Sequence, residues 1–282
     1  MSQRPSSRRE RSSWDKIISV SRSAWYAAVE GIILALVRLF AKKNGATGPL
    51  ITVYIPTHNR REILLARALP SILAQTYQNL EILVVAHGCT DHTAEVLSHW
   101  TAYHDEKRVR VLQIPRTQTY PPTAENHWLV GPVVPANAGL RAATGDWIMR
   151  IDDDDELLPD AVERLLRAAR QQRVEYISAA HETHQGKVAP YVWSGTRIGG
   201  IQTTLYRSYL RFFRYNPDCW RKDWDRVNDV DLQRRMLRAG VRMGYMDRVV
   251  ARVLPRPGET QVGSRAYTAD PAATEDRYAF SS

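Results

Sequence analysis

Apolar and polar positions change period along the chain. From Trp14 to Lys43 apolar residues recur at helical spacing, through Ile17, Ile18, Ala24, Trp25, Ala28, Ile32, Leu36, Leu39 and Phe40. Ser19, Arg22, Ser23, Tyr26 and Glu30 form a polar stripe on the same helix. From Leu50 the pattern becomes one of short β-branched runs. Residues 50–55, 80–86, 109–114 and 147–151 each read as a buried strand. Helical patterns separate them at about 62–75, 92–102 and 136–143, with Pro70 expected to kink the first and Thr90 or Asp91 to cap the second. Residues 115–133 hold four prolines and read as a long loop. Strands alternating with helices predict a mostly parallel α/β sheet covered on both faces. Such sheets bind ligands beyond the carboxyl ends of their strands. The turns 56–61 and 86–91 lie there, as does whatever follows Ile151.

The second half is less regular. Strand-like runs at 174–178, 188–193 and 201–206 are broken by Gly195, Gly199 and Gly200. A helix is expected over 159–171 and another over 229–239, closed by Gly240. The Pro/Gly-rich stretch 252–263 reads as irregular, and 264–282 as a polar tail. This divides the chain into a basic arm and amphipathic helix (1–48), a ligand-binding half (49–160), a second half (161–263) and a tail (264–282).

Composition narrows the class. A chain of 282 residues, 44% of them hydrophobic, buries enough surface to fold without a staple. Two cysteines, Cys89 and Cys219, supply neither a disulfide framework nor a four-ligand zinc site. The net charge is +9, but residues 1–49 carry nine Lys and Arg against three Asp and Glu. The excess therefore belongs mostly to the arm. It points to a local anionic partner such as lipid headgroups and not to a nucleic-acid groove. A membrane span needs about 20 apolar residues; Glu30 at the centre and Arg22 and Arg38 on its flanks argue against one, and Glu30 also argues against a signal peptide. Two readings of 14–43 stand open: a helix lying in the membrane plane, or one docked on the protein's own body.

The acids Asp152, Asp153, Asp154, Asp155 and Glu156 follow a buried strand directly. Their mutual repulsion calls for a compensating cation, and carboxylate oxygens suit Mg²⁺ or Mn²⁺. The alternative is a solvated loop whose charges favour the start of the next helix. An EF-hand is excluded by Leu157 and Pro159, which stand where that loop needs a sharp turn. No GxGxxG or GxxxxGK[ST] run occurs.

Taken in order, Ile55-Pro-Thr-His-Asn-Arg60, Gln75-Thr-Tyr, Leu80-Glu-Ile-Leu-Val-Val85, Gly88-Cys-Thr-Asp91, Asn137-Ala-Gly139, Gly145-Asp-Trp-Ile148 and Asp152-Asp-Asp-Asp155 resemble glycosyltransferase family 2, whose fold is GT-A. The resemblance implies a GT-A-like mixed, mostly parallel sheet flanked by helices, a nucleotide-diphosphate-sugar donor, and Mg²⁺ or Mn²⁺. It assigns Pro56, Thr57, Asn59 and Arg60 to the first nucleotide-contacting loop, and adds Asp91 to the donor-binding set. The acids match the family's Asp-x-Asp motif: Asp152 faces ribose and sugar, Asp154 and Asp152 hold the metal, and Asp153 and Asp155 are donor or supporting residues. The family usually has an Asp where His87 stands, so His87 is either a base-reading residue of altered preference or a turn residue.

Asn228-Asp229-x-Asp231-Leu232 is similar to the family's Glu-Asp-x-Asp-Leu segment, with Asn228 in place of Glu. That likeness makes Asp229 the base that accepts the acceptor's proton in an inverting displacement. An N-cap role for Asp229 is the alternative, and Asp231 is either a second functional acid or a helix-dipole partner. Trp220 and Trp224 either stack on a sugar or pack in the core, and Arg256 either pairs with phosphate or sits in a solvated loop. The expectation is an inverting, metal-dependent hexosyltransferase on the cytoplasmic face of a membrane, acting on a glycan or lipid-linked acceptor. The alternatives are a nucleotidyltransferase of similar fold and a non-catalytic nucleotide-sugar-binding protein.

Overall fold

The buried β-branched runs all enter one sheet. The computed structural model describes residues 13–41, 48–222 and 225–263; the basic leader, most of the linker, Trp224 and the tail 264–282 lie outside them. Helix α1 spans Ser13–Phe40 and precedes β1 (Ile51–Thr57), α2 (Arg61–Ala66), α3 (Ala68–Leu73), β2 (Leu80–His87), α4 (Thr93–Tyr103) and β3 (Val109–Ile114). Then come α5 (Ala124–Val130), α6 (Val133–Ala142), β4 (Trp147–Arg150), β5 (Asp155–Leu157), α7 (Ala161–Gln171), β6 (Tyr176–Thr183) and β7 (Gly186–Lys187). The chain continues through β8 (Tyr191–Trp193), β9 (Thr196–Ile198), β10 (Leu205–Arg207), α8 (Asn228–Arg238) and β11 (Met243–Val253).

The main sheet runs β3-β2-β1-β4-β10-β6-β11-β5, with β7 beside β6; β8 and β9 form a separate hairpin. β1, β2, β3 and β4 are parallel, and β10 is inserted antiparallel between β4 and β6. β11 then runs parallel to β6 and antiparallel to β5. The order 3-2-1-4 makes β1 and β4 the place where the winding reverses, and sheets of this kind bind ligands beyond the carboxyl ends of such strands.

Strand alternation divides the core in two. Ile51, Val53 and Ile55 of β1 pack with Leu64, Leu69, Ile72 and Leu165 on one face. Tyr54, Leu83, Val85 and Ile148 pack with Leu129, Val133, Leu140, Leu232 and Met236 on the other. Both faces are thus covered by helices, which is why the strands read as unbroken apolar runs.

Several expectations change on contact with the structure. The helix read over 62–75 is two helices broken at Arg67 (φ −125°, ψ −78°), not at Pro70. Pro70 lies in the first turn of α3, where a missing N–H costs nothing. The stretch 115–133 is not one loop: the Thr123 side chain accepts the Asn126 N–H (3.2 Å) and starts α5. The eleven-residue β11 escaped notice because register shifts between Met246 and Ala251 interrupt its alternation. Helix α1 docks on the protein's own body, through its polar stripe.

Gly145 permits the approach of β4 to β1. A Cβ there would lie 2.6 Å from the Thr52 nitrogen and 2.8 Å from the Leu50 oxygen. Both are backbone atoms, of β1 and the residue just before it, and cannot move aside. Gly145→Ala is expected to destabilise by about 1–3 kcal/mol, seen as a fall of several degrees in the thermal unfolding midpoint. An unchanged midpoint would mean that the β1–β4 seam is looser than described.

Candidate functional site

The acidic turn begins where β4 stops. Ile151 donates its N–H to the Tyr54 carbonyl (3.2 Å), holding the end of β4 against β1. The Asp155 N–H then bonds the Asp152 carbonyl (3.2 Å), and β5 pairs with β11. The four carboxylates diverge from this tight turn. Asp152 accepts from Arg150 Nε (3.1 Å) and Nη2 (2.7 Å). Asp153 accepts from Thr57 Oγ1 (2.7 Å) and Arg60 Nη1 (3.0 Å). Asp154 lies 3.6 Å from Arg60 and 3.8 Å from Arg256. Asp155 points into the core at 5% exposure.

Repulsion in this cluster is therefore met first by the chain's own arginines and not by an ion alone. What they leave is visible in the titration behaviour. Burial, opposed by Arg60 and reinforced by Asp154, raises Asp153 to about 6. Burial and its three neighbouring carboxylates push Asp155 well above the ordinary range. Asp155 thus favours its neutral form inside the β5–β11 pair, away from the more exposed Asp152 and Asp154.

The loop after β1 and the loop after β2 are stapled to each other. Pro56 and Thr57 are the buried end of β1. Asn59, at φ +51°, accepts the Thr90 N–H on Oδ1 (2.7 Å) and donates to Thr90 Oγ1 (3.1 Å). Asp91 accepts the N–H of Arg61 (3.0 Å) and of Thr93 (3.2 Å). Burial would raise Asp91, but those bonds outweigh it and hold it below the usual range. Asn59 and Asp91 therefore shape the loops. His87 is 2% exposed and faces Arg116 Nη1 (3.2 Å) and the Thr117 N–H (3.1 Å). Burial, then the Arg116 charge, lowers it to about 4, so it is neutral at pH 7. His127, bonded to Tyr120 (2.9 Å), is lowered to about 3 by burial and by Arg60, Arg116, His58 and Arg256. Sequence spacing gave no sign of Arg116 or His127, and His58 stood in the 56–61 turn without a role, because only the folded loops bring the three together.

Helix α8 enters from the opposite side. Asn228 accepts from Arg150 Nη1 (3.2 Å) and donates to the Leu129 carbonyl (2.8 Å). Asp229, in the first turn, accepts the Val230 N–H (2.8 Å) and is not the helix cap. Burial raises it, Arg150 lowers it, and Asp152 raises it further. Arg150 thus joins the acid turn to the first turn of α8. Asp231, by contrast, is buried against Lys222 and Arg235, the latter at 2.9 Å. It anchors α8 through these ion pairs. Trp220 stacks under the Arg221 guanidinium (4.2 Å), and Trp224 lies outside the described residues. Arg256 is 13% exposed and held by Glu259 (2.9 Å). Arg67, unsuspected from sequence, donates to Asp154 O (3.2 Å) and Pro255 O (2.8 Å), tying the 254–256 segment to the acid turn.

This arrangement has relatives. A model of glycosyl transferase family 2 matches residues 52–238. The chain belongs to that family. An uncharacterized glycosyltransferase of Haemophilus influenzae is 31% identical over 60% of this chain and 58% of its own length. The GalNAc(5)-diNAcBac-PP-undecaprenol β-1,3-glucosyltransferase of Campylobacter jejuni is 31% identical over 44% of this chain and 35% of its own. The chain therefore spans under two thirds of these relatives. Among solved structures, S. aureus TarS 1–349 in complex with UDP-GlcNAc aligns with TM-score 0.55 at 16% identity, over 74% of this chain and 59% of TarS 1–349. The mannosyltransferase PcManGT from Pyrobaculum calidifontis, in complex with GDP-Man and Mn²⁺, aligns with TM-score 0.54 at 17% identity, over 86% and 68%. These likenesses show the fold, a mixed sheet of the GT-A type with flanking helices.

Among the described residues no three His, Cys, Asp or Glu side chains form a metal cage. Hard divalent ions need none when a phosphate supplies the remaining oxygens; one or two carboxylates suffice. Asp154, 20% exposed, and Asp152, 37% exposed, offer that many. The donor set fits an ion shared with a diphosphate.

Asp153 yields a pH test. Its folded pKa lies above its ordinary value of 3.8, so its contribution to stability is present below pH 4 and lost as pH rises through about 6. Asp153→Asn removes that titration. The variant is expected to be more stable than the parent at pH 7, by on the order of 2 kcal/mol, with the gain vanishing near pH 4. Urea unfolding at both pH values measures it, and a gain that is equal at both would remove the buried titration from the account.

Proposed function

We propose that this family 2 chain is an inverting, metal-dependent glycosyltransferase. It moves a sugar from a nucleotide-diphosphate-sugar to a hydroxyl of a glycan or lipid-linked acceptor. The observation that carries the reading is that Arg150 holds Asp152 and the first turn of α8 at one crevice. A donor-side carboxylate and a candidate base thus share one site at the carboxyl ends of β1 and β4.

Each group has a part. Thr57 and Arg60, with Asp153 between them, form the floor on which the nucleotide lies. Arg60 and Arg256 face the diphosphate beside Asp154. Asp154 and Asp152 are the carboxylates that would hold Mg²⁺ or Mn²⁺. Such an ion, when bound, neutralises charge on the departing diphosphate. Asp229 accepts the proton of the attacking hydroxyl; desolvation makes it a stronger base than an exposed carboxylate. Attack from the face opposite the diphosphate inverts the anomeric centre. The neutral histidines His58, His87 and His127 line the nucleotide side without adding charge. The C. jejuni relative's name gives it a lipid-linked acceptor. With the arm's charge, that supports a peripheral place on the cytoplasmic face of a membrane.

The test is release of nucleoside diphosphate from a panel of nucleotide-sugars with Mn²⁺. Asp154→Ala and Asp229→Asn are each expected to lower kcat by 10²–10⁴. For the parent, kcat/KM rises with pH through a pKa above the ordinary carboxylate range, because the base must be ionised and burial raises Asp229. That limb is absent from the residual rate of Asp229→Asn. Pyrophosphate as product would replace this reading with nucleotidyl transfer. Donor binding without turnover would replace it with a binding protein.

A further inference from the structure

Helix α1 packs with its polar side inward. Ser19, Glu30 and Leu34 are buried, while Trp14 is 73% exposed, Trp25 64%, Ile32 64%, Leu36 51% and Leu39 77%. Asp15 pairs with Arg221, Arg22 with Asp218 (2.9 Å), and Glu30 with Arg235, which also lies over the Tyr26 ring (4.2 Å). Arg38 pairs with Glu175 and donates to the Gly240 carbonyl (2.9 Å). Five polar or charged side chains thus fix the rotation of the helix about its axis. The opposite face, at positions 14, 17, 18, 21, 25, 28, 32, 36 and 39, holds no charged residue. At about 1.5 Å per residue the helix is roughly 42 Å long.

We infer that this outward stripe is a membrane-docking surface, lying in the plane of an anionic lipid layer. Three observations choose lipid over another occupant. The leader holds Arg4, Arg8, Arg9 and Arg11 against Glu10, and Lys42 and Lys43 follow the helix, so both ends are basic. Trp14 and Trp25 are the large side chains that settle at a headgroup boundary. The helix is long and apolar enough to cross a membrane, but Arg22, Glu30 and Arg38 are ion-paired to the body along its length, and charges so paired favour lying in the plane over crossing it.

The register of those pairs also orients the site. The early residues of α1 meet 218–221, just before α8, and the late ones meet Gly240, just after it. The two helices therefore run side by side in one direction. The N-terminal end of α1 lies toward the end of α8 that carries Asp229. A lipid-linked acceptor held in the same layer would arrive at that end; this last step rests on the transferase reading, and the docking surface does not.

Flotation of the full chain tests the inference, using phosphatidylcholine vesicles with and without about a third phosphatidylglycerol. The chain is expected to float with the anionic vesicles and to be released by an alkaline carbonate wash. Trp25→Glu with Ile32→Glu should cut the bound fraction about tenfold or more. Arg8→Gln with Arg9→Gln should cut it several-fold, on anionic vesicles only. Calorimetric binding of UDP or GDP, unchanged in these variants, shows that they fold. Equal flotation of parent and Glu variants overturns the inference. So does retention through the carbonate wash, which marks a spanning helix. A dimer that Trp25→Glu dissolves, with no vesicle binding, gives the stripe to a second copy and overturns it too. Flotation without sugar transfer would sink the transferase reading alone.

Discussion

Arg150 is a guanidinium with 2% exposure at the last position of β4. It donates to Asp152 and Asn228 and lies 5.2 Å over the Tyr215 ring. A charge so buried is tolerated only with partners, and here each partner belongs to a different part of the site. Asp152 opens the acid turn, and Asn228 starts α8. Tyr215, whose hydroxyl bonds Tyr54 (3.0 Å), ties the same group to β1. The position of Asp229, the proposed base, relative to the acid turn is therefore fixed by one side chain, and both depend on where β4 ends. Asn228, which departs from the resembling segment's Glu, makes sense in this setting. A neutral amide accepts one hydrogen bond from Arg150 and gives another to Leu129 without competing with Asp152 for the charge.

The same accounting explains why the acids spread. Asp153 is satisfied from β1 and its loop, Asp154 is flanked by Arg60 and Arg256, and Asp155 retreats into the core. Arginines on three separate elements hold the turn open and leave Asp152 and Asp154 the more exposed of the four. The proposed diphosphate would meet fixed cations and two carboxylates, a combination suited to sharing a divalent ion and poor at caging one alone.

Much of the first half was legible because its strands are buried on both faces and bounded by Gly, Pro, Asn and Asp. The strand runs from Leu50, Leu80, Val109 and Trp147 stand within two residues of their expected ends. Legibility failed where a side chain distant in sequence decides the local structure. Arg67 breaks a helix to reach the 254–256 segment, and no periodicity records that. β11 carries bulges that erase its alternation. In the site, Thr57, Arg60, Asp152, Asp154 and Asp229 could be proposed from motif order. The structure gives Asn59 and Asp91 to loop stapling and Asp231 to a buried ion pair. Acidic residues two apart in one motif look alike in sequence; burial separates them, with Asp229 at the crevice and Asp231 beneath it.

The pair Asp231–Arg235 leads outward to Glu30 and so to α1. Buried ion pairs add little net stability, since desolvation offsets most of the Coulomb gain. Their effect is on specificity: an apolar contact would let α1 roll to bury Trp25 and Ile32, whereas rolling would pull the buried Glu30 away from Arg235. Burial raises Glu30 to about 7 even with Arg235 beside it, so the contact is costly as well as directional. The charges that seat α1 on α8 also hold its apolar face outward, away from the protein's own core.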